Sequence, residues 1–118
     1  MIDIQQFSKE WIDSWNDHDI EKILSHYSED IEFYSPIIKQ LGTNSEGVIK
    51  DKNTLKDYFI KALALYPDLF FYLHEILVGT ESLILFYTSV NNKKSAEFMQ
   101  FDSEGKINFV RAHYNLSQ

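Results

Sequence analysis

The residue best suited to acid–base chemistry is Glu97, which lies in an otherwise apolar stretch, Ser95-Ala-Glu97-Phe-Met99-Gln-Phe. Alternate side chains of a strand share one face, so Ser95, Glu97 and Met99 point the same way. A carboxyl group walled by aromatic rings has a raised pKa, because burial penalises its charged form. Glu97 is therefore a candidate general acid or hydrogen-bond donor. The alternatives are an ion pair with Arg111 on an adjacent strand, or simple exposure to solvent.

A second set of candidates lies near the end of the chain, where Ala112 and Tyr114 alternate with Arg111 and His113. If the first pair faces the interior, Tyr114 supplies a phenol to a pocket. A register shifted by one residue would bring in the second pair instead, and His113 could then form an acid–base pair with Glu97. Otherwise Arg111 and His113 lie on the outer face or in a dimer contact. The candidate catalytic residues are therefore Glu97, Tyr114 and His113.

Most other catalytic and metal-binding patterns are missing from the sequence. The chain has no cysteine, which excludes disulfides, thiolate metal ligands and a cysteine nucleophile. It also has no HExxH motif, Gly-rich phosphate loop or Gly-x-Ser-x-Gly elbow. The neighbours His74 and Glu75 would point to opposite faces of a strand, so they cannot bind one metal together. We expect no cofactor and no metal site.

Length and composition limit the class of protein. We expect one domain over residues 1–118, since the chain is too short for two cores. Aromatic residues make up 15% of the chain, which suits both a core and an apolar pocket. The formal net charge of −7 argues against nucleic acid and anionic membranes as partners. The N-terminus lacks the basic and apolar regions of a signal peptide, so a cytoplasmic location is expected.

Apolar periodicity predicts three helices. The first carries an apolar stripe from Ile4 to Trp15, and the second carries one from Ile20 to Tyr27. Asp19 is a suitable N-cap for the second helix. The third carries a stripe from Leu55 to Tyr66, and the proline that follows should end it.

The rest of the chain reads mainly as strands. Residues 31–35 alternate and stop at Pro36, which predicts a short strand at a sheet edge. Residues 37–50 lose the pattern and are predicted to form a loop. Four further strands, separated by turn-forming residues, are predicted at about 69–79, 82–90, 93–102 and 106–116.

The order of these elements, together with three segments, resembles the nuclear transport factor 2-like superfamily, and within it the SnoaL-like polyketide cyclases and ketosteroid isomerases. The segments are Trp15-Asn-Asp-His-Asp-Ile, Tyr27-Ser-Glu-Asp-Ile-Glu-Phe-Tyr-Ser-Pro36 and Glu97-Phe-Met-Gln-Phe-Asp-Ser-Glu-Gly-Lys-Ile107. The resemblance implies an α+β fold, a cone-shaped α+β barrel with three N-terminal helices packed on a strongly curved mixed or antiparallel sheet. It does not imply one function, because the superfamily includes isomerases, cyclases, dehydratases, epoxide hydrolases and binding modules.

The resemblance to ketosteroid isomerases can be followed at individual positions. Those enzymes place a carboxylate base before the proline that ends the first strand, where this chain has Ser35. They place a tyrosine donor on the first helix, where this chain has Trp11, and a protonated acid at the position of Glu97. Since serine cannot abstract a carbon-bound proton without a base of its own, steroid isomerisation by that mechanism is disfavoured. The resemblance also places Ala112 and Tyr114 inside the cone.

The expected function is therefore that of a small-molecule pocket. We expect a cofactor-free isomerase, cyclase or dehydratase that acts on a small apolar carbonyl compound. The alternatives are a non-catalytic module that holds a small apolar ligand, and an interaction domain whose cone is filled by its own side chains. The residues predicted to line the pocket are Trp11, Trp15, Tyr27, Phe33, Ser35, Tyr58, Phe59, Met99 and Ala112, of which Tyr58 and Phe59 could instead belong to the core.

A homodimer is the expected partnership. Residues 69–78 are apolar on both faces of the predicted strand. Helices cover only one face of a sheet, so the other face would expose an apolar patch that soluble monomers rarely tolerate. The predicted faces are Leu69, Phe71 and Leu73 on one side, and Phe70, Tyr72 and Ile76 on the other.

Overall fold

Two helices precede the first strand, and a third and a fourth follow it before a run of four hairpin-connected strands. The computed structural model describes residues 2–116. Over this range the helices are α1 (Ile4–Asn16), α2 (Ile20–Leu24), α3 (Pro36–Gln40) and α4 (Lys52–Leu65), with a 3₁₀ turn at Val90–Asn92. The strands are β1 (Tyr27–Tyr34), β2 (Val48–Ile49), β3 (Tyr72–Gly79), β4 (Ser82–Thr88), β5 (Lys94–Phe101) and β6 (Ile107–Tyr114).

The six strands form one curved sheet in the order β2-β1-β6-β5-β4-β3. The β1–β6 pair is parallel and the other pairs are antiparallel, so the sheet is mixed. The α+β fold class is confirmed, but the sheet stays open, with β2 and β3 at its edges. The prediction that β1 is an edge strand is wrong, because Phe33 pairs with Ile49 of β2 on one side and with Val110 of β6 on the other.

Short polar side chains start the helices. The side chains of Asp3, Asp19 and Asp51 accept hydrogen bonds from backbone N–H groups in the first turns of α1, α2 and α4. The predicted Asp19 cap is therefore confirmed. Helix α2 ends at Leu24, so Tyr27 opens β1 instead of continuing the helix as predicted.

The segment predicted as a loop contains an additional helix. The Ser35 hydroxyl accepts a hydrogen bond of 3.2 Å from the backbone N–H of Ile37, and Pro36 occupies the first helical position. This cap starts the five-residue helix α3, and Val48–Ile49 then forms β2. Both elements are too short for hydrophobic periodicity to reveal them, which explains why a loop was predicted over 37–50.

An irregularity in β3 changes which of its residues face the helices. In the backbone register, Leu73 pairs with Tyr87 and Glu75 with Phe86, so no residue of β4 lies opposite His74. The alternation of side chains between the two faces of β3 therefore shifts at His74. Consequently Leu73 and Ile76 both pack against the core, whereas alternation without a bulge places them on opposite faces. Phe70, Tyr72 and Leu77 remain exposed.

Helix α4 supplies the centre of the helical layer. Its Phe59 is 2% exposed, and its ring centroid lies 4.8 Å from that of Trp15 on α1 and 5.5 Å from that of Phe33 on β1. These edge-on contacts connect α1, α4 and the inner face of the sheet.

None of the helices within residues 2–116 has both the length and the apolar character needed to cross a membrane.

Replacing Phe59 with alanine should lower the free energy of unfolding by about 3–5 kcal/mol, since it empties a well-packed site. Ile60 lies next to it on α4 and is 45% exposed, so Ile60→Ala is the matched control and should change stability by less than about 1 kcal/mol. Urea unfolding of both variants measures the difference. Equal losses in the two variants would show that Phe59 does not anchor the layer.

Candidate functional site

A small cavity lies between α1, α4 and the inner face of the sheet. The cavity has a volume of about 70 Å³. Most of its wall is aromatic and apolar, and only a few hydroxyl groups and charged groups reach it. The aromatic part of the wall comprises Trp11, Trp15, Phe33, Phe59, Phe71 and Tyr87.

Among the described residues, Glu97 is the only carboxylic acid on this wall. It lies on the inner face of β5, between Leu85 of β4 and Ala112 of β6, and it is 3% exposed. The hydroxyl of Tyr87 donates a hydrogen bond of 2.6 Å to Glu97 Oε1. Burial raises the pKa of Glu97 to about 7, against the lowering effect of the Tyr87 hydrogen bond. Near neutral pH the site therefore contains both the acid and its conjugate base.

Four tyrosines surround this carboxyl group. The pKa values of Tyr27, Tyr58, Tyr87 and Tyr114 are all raised, mainly by burial and further by the negative charge of Glu97. All four phenols therefore keep their protons at neutral pH. Phenols can donate hydrogen bonds, so the cavity offers donors around a single proton-exchanging group.

The last strand follows the first of the two registers considered for it. Ala112 is buried and Tyr114 lines the cavity, whereas Arg111 and His113 are exposed on the opposite face. The interpretation of His113 as a partner of Glu97 is therefore wrong, and so is the Glu97–Arg111 ion pair. The guanidinium of Arg111 lies instead 4.2 Å from the ring centroid of Tyr34 on the outer face. The alternation of β6 keeps both cations on that face.

The predicted lining residues fall into two groups. Trp11, Trp15, Phe33, Tyr58 and Phe59 line the cavity. The other four are buried but do not line it. This second group is Tyr27, Ser35, Met99 and Ala112.

Two residues of the second group have physical reasons for their positions. The Tyr27 hydroxyl accepts a hydrogen bond of 3.1 Å from Trp11 Nε1, which places both groups within the core. That bond also occupies the indole donor of Trp11. The Ser35 hydroxyl caps α3 and also interacts with Tyr58 and Tyr114, where it partly offsets the rise in pKa that burial causes in both phenols. Ser35 therefore positions other groups and does not face the ligand space.

Several lining residues were not predicted. Tyr87 could have been found, because the alternation of Leu83, Leu85 and Tyr87 places it on the inner face beside Glu97. Leu69 and Phe71 belong to an apolar strand face that was predicted but not assigned to the pocket, and the others come from short segments or from the far end of α4. Besides Tyr87, the lining residues that were not predicted are Ile37, Ala62, Tyr66, Leu69, Phe71, Ser89, Val90 and Lys93.

Comparison with known proteins identifies the family. The SnoaL-like domain family matches residues 8–107. This chain belongs to the SnoaL-like family. No curated protein sequence matches it.

Solved structures agree with this assignment. A SnoaL-like protein of unknown function from Burkholderia thailandensis is 36% identical, with a TM-score of 0.91 over 95% of this chain and 93% of its own. An NTF2-like protein of unknown function from Cytophaga hutchinsonii is 12% identical, with a TM-score of 0.76 over 98% and 92%. The epoxide hydrolase/cyclase-like enzyme SalBIII, which has a role in pyran ring formation in salinomycin, is 14% identical, with a TM-score of 0.75 over 95% and 90%. The last two show the shared fold alone.

Metal-ligating side chains are not clustered in the part of this SnoaL-like protein that the structure describes. Within residues 2–116, no group of three or more histidine and acidic side chains could hold a metal ion.

Burial of Glu97 should make stability depend on pH. Its pKa in the folded protein, about 7, exceeds the ordinary value of 4.5, so the folded state binds the proton more tightly than the unfolded state. The stabilisation is complete below pH 4.5 and is lost as the pH rises through 7. Relative to Glu97→Gln, the wild-type protein should lose about 3 kcal/mol of unfolding free energy over this range, at about 1.4 kcal/mol per pH unit. Urea unfolding of both proteins across this range measures it, and parallel profiles would contradict it.

Proposed function

We propose that this SnoaL-like protein is a cofactor-free acid–base enzyme that isomerises, cyclises or dehydrates a small apolar carbonyl compound. The observation that carries the proposal is the position of Glu97, a buried carboxyl group on the cavity wall whose pKa lies near 7. A catalytic acid or base works best when its pKa is close to the working pH.

The roles of the residues follow from their protonation states. The ionised form of Glu97 removes a proton from the carbon beside a carbonyl group, and the protonated form returns one elsewhere on the ligand. The phenols of Tyr58 and Tyr114 stay protonated and donate hydrogen bonds to the oxygen where negative charge develops. Tyr87 orients the carboxyl group through its 2.6 Å hydrogen bond.

The cavity favours small ligands. Its volume of about 70 Å³ corresponds to roughly five water-sized spheres. A ligand with a handful of non-hydrogen atoms fits this space, whereas a steroid does not. The aromatic walls favour an apolar body, and the phenols favour one acceptor oxygen.

A non-catalytic ligand-binding role is the second candidate, and Ser35 favours it. Ketosteroid isomerases have a carboxylate base at this position, but here the hydroxyl accepts a hydrogen bond from Ile37 N–H as the cap of α3. The site therefore has a single carboxyl group for proton transfer. Under this candidate function the protein binds small carbonyl compounds without changing them.

Deuterium exchange distinguishes the two functions without knowledge of the natural substrate. Small ketones of about three to six carbon atoms are incubated with the protein in D₂O, and loss of the proton beside the carbonyl is followed by NMR. We expect catalysed exchange that increases as the pH rises through about 7, since the ionised form of Glu97 is the base. Glu97→Gln should reduce the rate at least about a hundredfold.

The control for this experiment is His113→Gln, which removes an exposed titratable group from the outer face and should leave the exchange rate unchanged. Saturable ketone binding with no catalysed exchange would support the binding role. Equal exchange rates in wild type and Glu97→Gln would contradict the role of Glu97.

We also propose that the protein is a homodimer that pairs through the outer face of the sheet. Phe86, Phe98 and Phe109 lie on that face and are only partly buried. Arg111 lies over the rings of Tyr34 and Phe109, at 4.2 Å and 5.4 Å from their centroids. Soluble monomers rarely leave a large apolar patch open to water, and a second copy would cover these rings symmetrically.

Light scattering at tens of micromolar protein tests this arrangement. We expect twice the chain mass of 13.9 kDa for the wild-type protein and a monomeric mass for Phe109→Asp, which places a charge on the apolar face. Lys39→Asp introduces the same side chain on the exposed surface of α3 and should remain dimeric. A monomeric wild-type protein would overturn the proposal.

A further inference from the structure

One wall of the cavity is formed by chain that lies outside the sheet. The last residue pair between β3 and β4 is Tyr72 with Thr88, so residues 69–71 precede the hydrogen-bonded part of β3. Leu69 and Phe71 are nevertheless buried, and both line the cavity. Contacts outside the sheet must therefore fix this segment.

The side chains of Asn16, the last residue of α1, and His18, in the turn that follows, provide such contacts. Asn16 Nδ2 donates a hydrogen bond of 3.0 Å to the carbonyl of Phe71, and Asn16 Oδ1 accepts one of 2.7 Å from its N–H. The amide side chain thus pairs with both polar groups of one backbone residue, as a neighbouring strand would. His18 Nε2 lies 2.9 Å from the carbonyl oxygen of Leu69, so this ring nitrogen must carry the proton of a hydrogen bond.

The Phe71 ring links this backbone contact to the candidate catalytic group. Its centroid lies 4.6 Å from that of Tyr87, the hydrogen-bond donor to Glu97. It also lies 5.5 Å from the Trp15 ring and 5.8 Å from the Trp11 ring, nearly parallel to the latter at 22°. A displacement of the Phe71 backbone would therefore move the wall beside Glu97.

We infer that Asn16 is a positioning residue that fixes the width of the cavity by holding the backbone of Phe71, and so limits the size of the carbonyl ligand. The inference rests on the proposed small-ligand pocket. It adds a specificity role for a side chain that does not itself line the cavity. Without the two hydrogen bonds, residues 69–71 would move outward and the pocket would accept longer ligands.

The test uses straight-chain 2-ketones of about three to eight carbon atoms as probes. Binding is followed by quenching of tryptophan fluorescence, which is specific here because both tryptophans of the chain line the cavity. We expect Asn16→Ala to shift the preferred ketone to a longer chain. Asn108→Ala is the matched control, since Asn108 accepts a hydrogen bond from Gln100 at a distance from the cavity, and it should keep the wild-type preference.

Two further measurements do not depend on any ligand. Amide hydrogen exchange of Phe71 should accelerate at least about tenfold in Asn16→Ala, since its acceptor is lost. In Asn16→Asp the acceptor remains and the donor is lost, so the Phe71 amide should stay protected while the ketone preference shifts by less than in Asn16→Ala. A crystal structure of Asn16→Ala should show the Phe71 Cα displaced outward.

The outcomes separate this inference from the proposed function. If no ketone binds to any of the proteins, the proposed function fails, and the crystal structure still shows whether Asn16 sets the position of the wall. An unmoved Phe71 Cα, or an unchanged ketone preference in the folded Asn16→Ala protein, would overturn the inference. If Asn16→Ala does not fold, Asn16→Asp undergoes the same measurements and its unchanged ketone preference would overturn it equally.

Discussion

The hydrogen bond of 2.6 Å from the Tyr87 hydroxyl to Glu97 joins β4 to β5 inside an aromatic cavity, and the properties of the site depend on it. A carboxylate without a partner would be too costly in this interior. The phenol lowers that cost without removing it, so the pKa of Glu97 stays near 7. A cationic partner would have stabilised the carboxylate and lowered its pKa, but the sheet holds Arg111 on its outer face.

The surrounding residues maintain this state of Glu97. Trp11, Trp15, Phe59 and Phe71 are buried and form much of the aromatic wall of the cavity. The buried tyrosines add hydroxyl groups but no further group that titrates near neutral pH. A ligand therefore meets one carboxyl group among several phenol donors. This division of roles suits carbonyl chemistry, in which one proton moves and one oxygen gains charge.

Strong local patterns made the fold and the central residue predictable. The stripe of α4, the Asp19 cap and the alternation of Ser95, Glu97 and Met99 each have a physical period or a capping rule behind them. The alternation of β6 left two registers open, and only the packing of Ala112 beside Glu97 distinguishes them. The resemblance to ketosteroid isomerases identified Ser35 as a position of interest. Its role as the cap of α3 could not be predicted, because a helix of five residues is too short to leave a periodic pattern in the sequence.

Features that depend on tertiary contacts could not be predicted from the sequence. The pairing of Asn16 with Phe71 joins residues far apart in the chain, and neither one carries a local signal of it. The bulge at His74 likewise depends on how β3 meets β4, and it moved Ile76 to the core side. Such contacts set the shape of the cavity, whereas hydrophobic periodicity sets only the elements around it.

The most direct test of this account is the titration of Glu97 itself. NMR of protein labelled with ¹³C at glutamate side-chain carboxyl carbons follows each carboxyl group with pH, and Glu97→Gln assigns the signal. We predict a midpoint near 7 for Glu97, well above the ordinary value of 4.5. A midpoint at or below about 4.3 would mean that Glu97 is solvated or paired with a cation, which would contradict both the buried state and the proposed acid–base role.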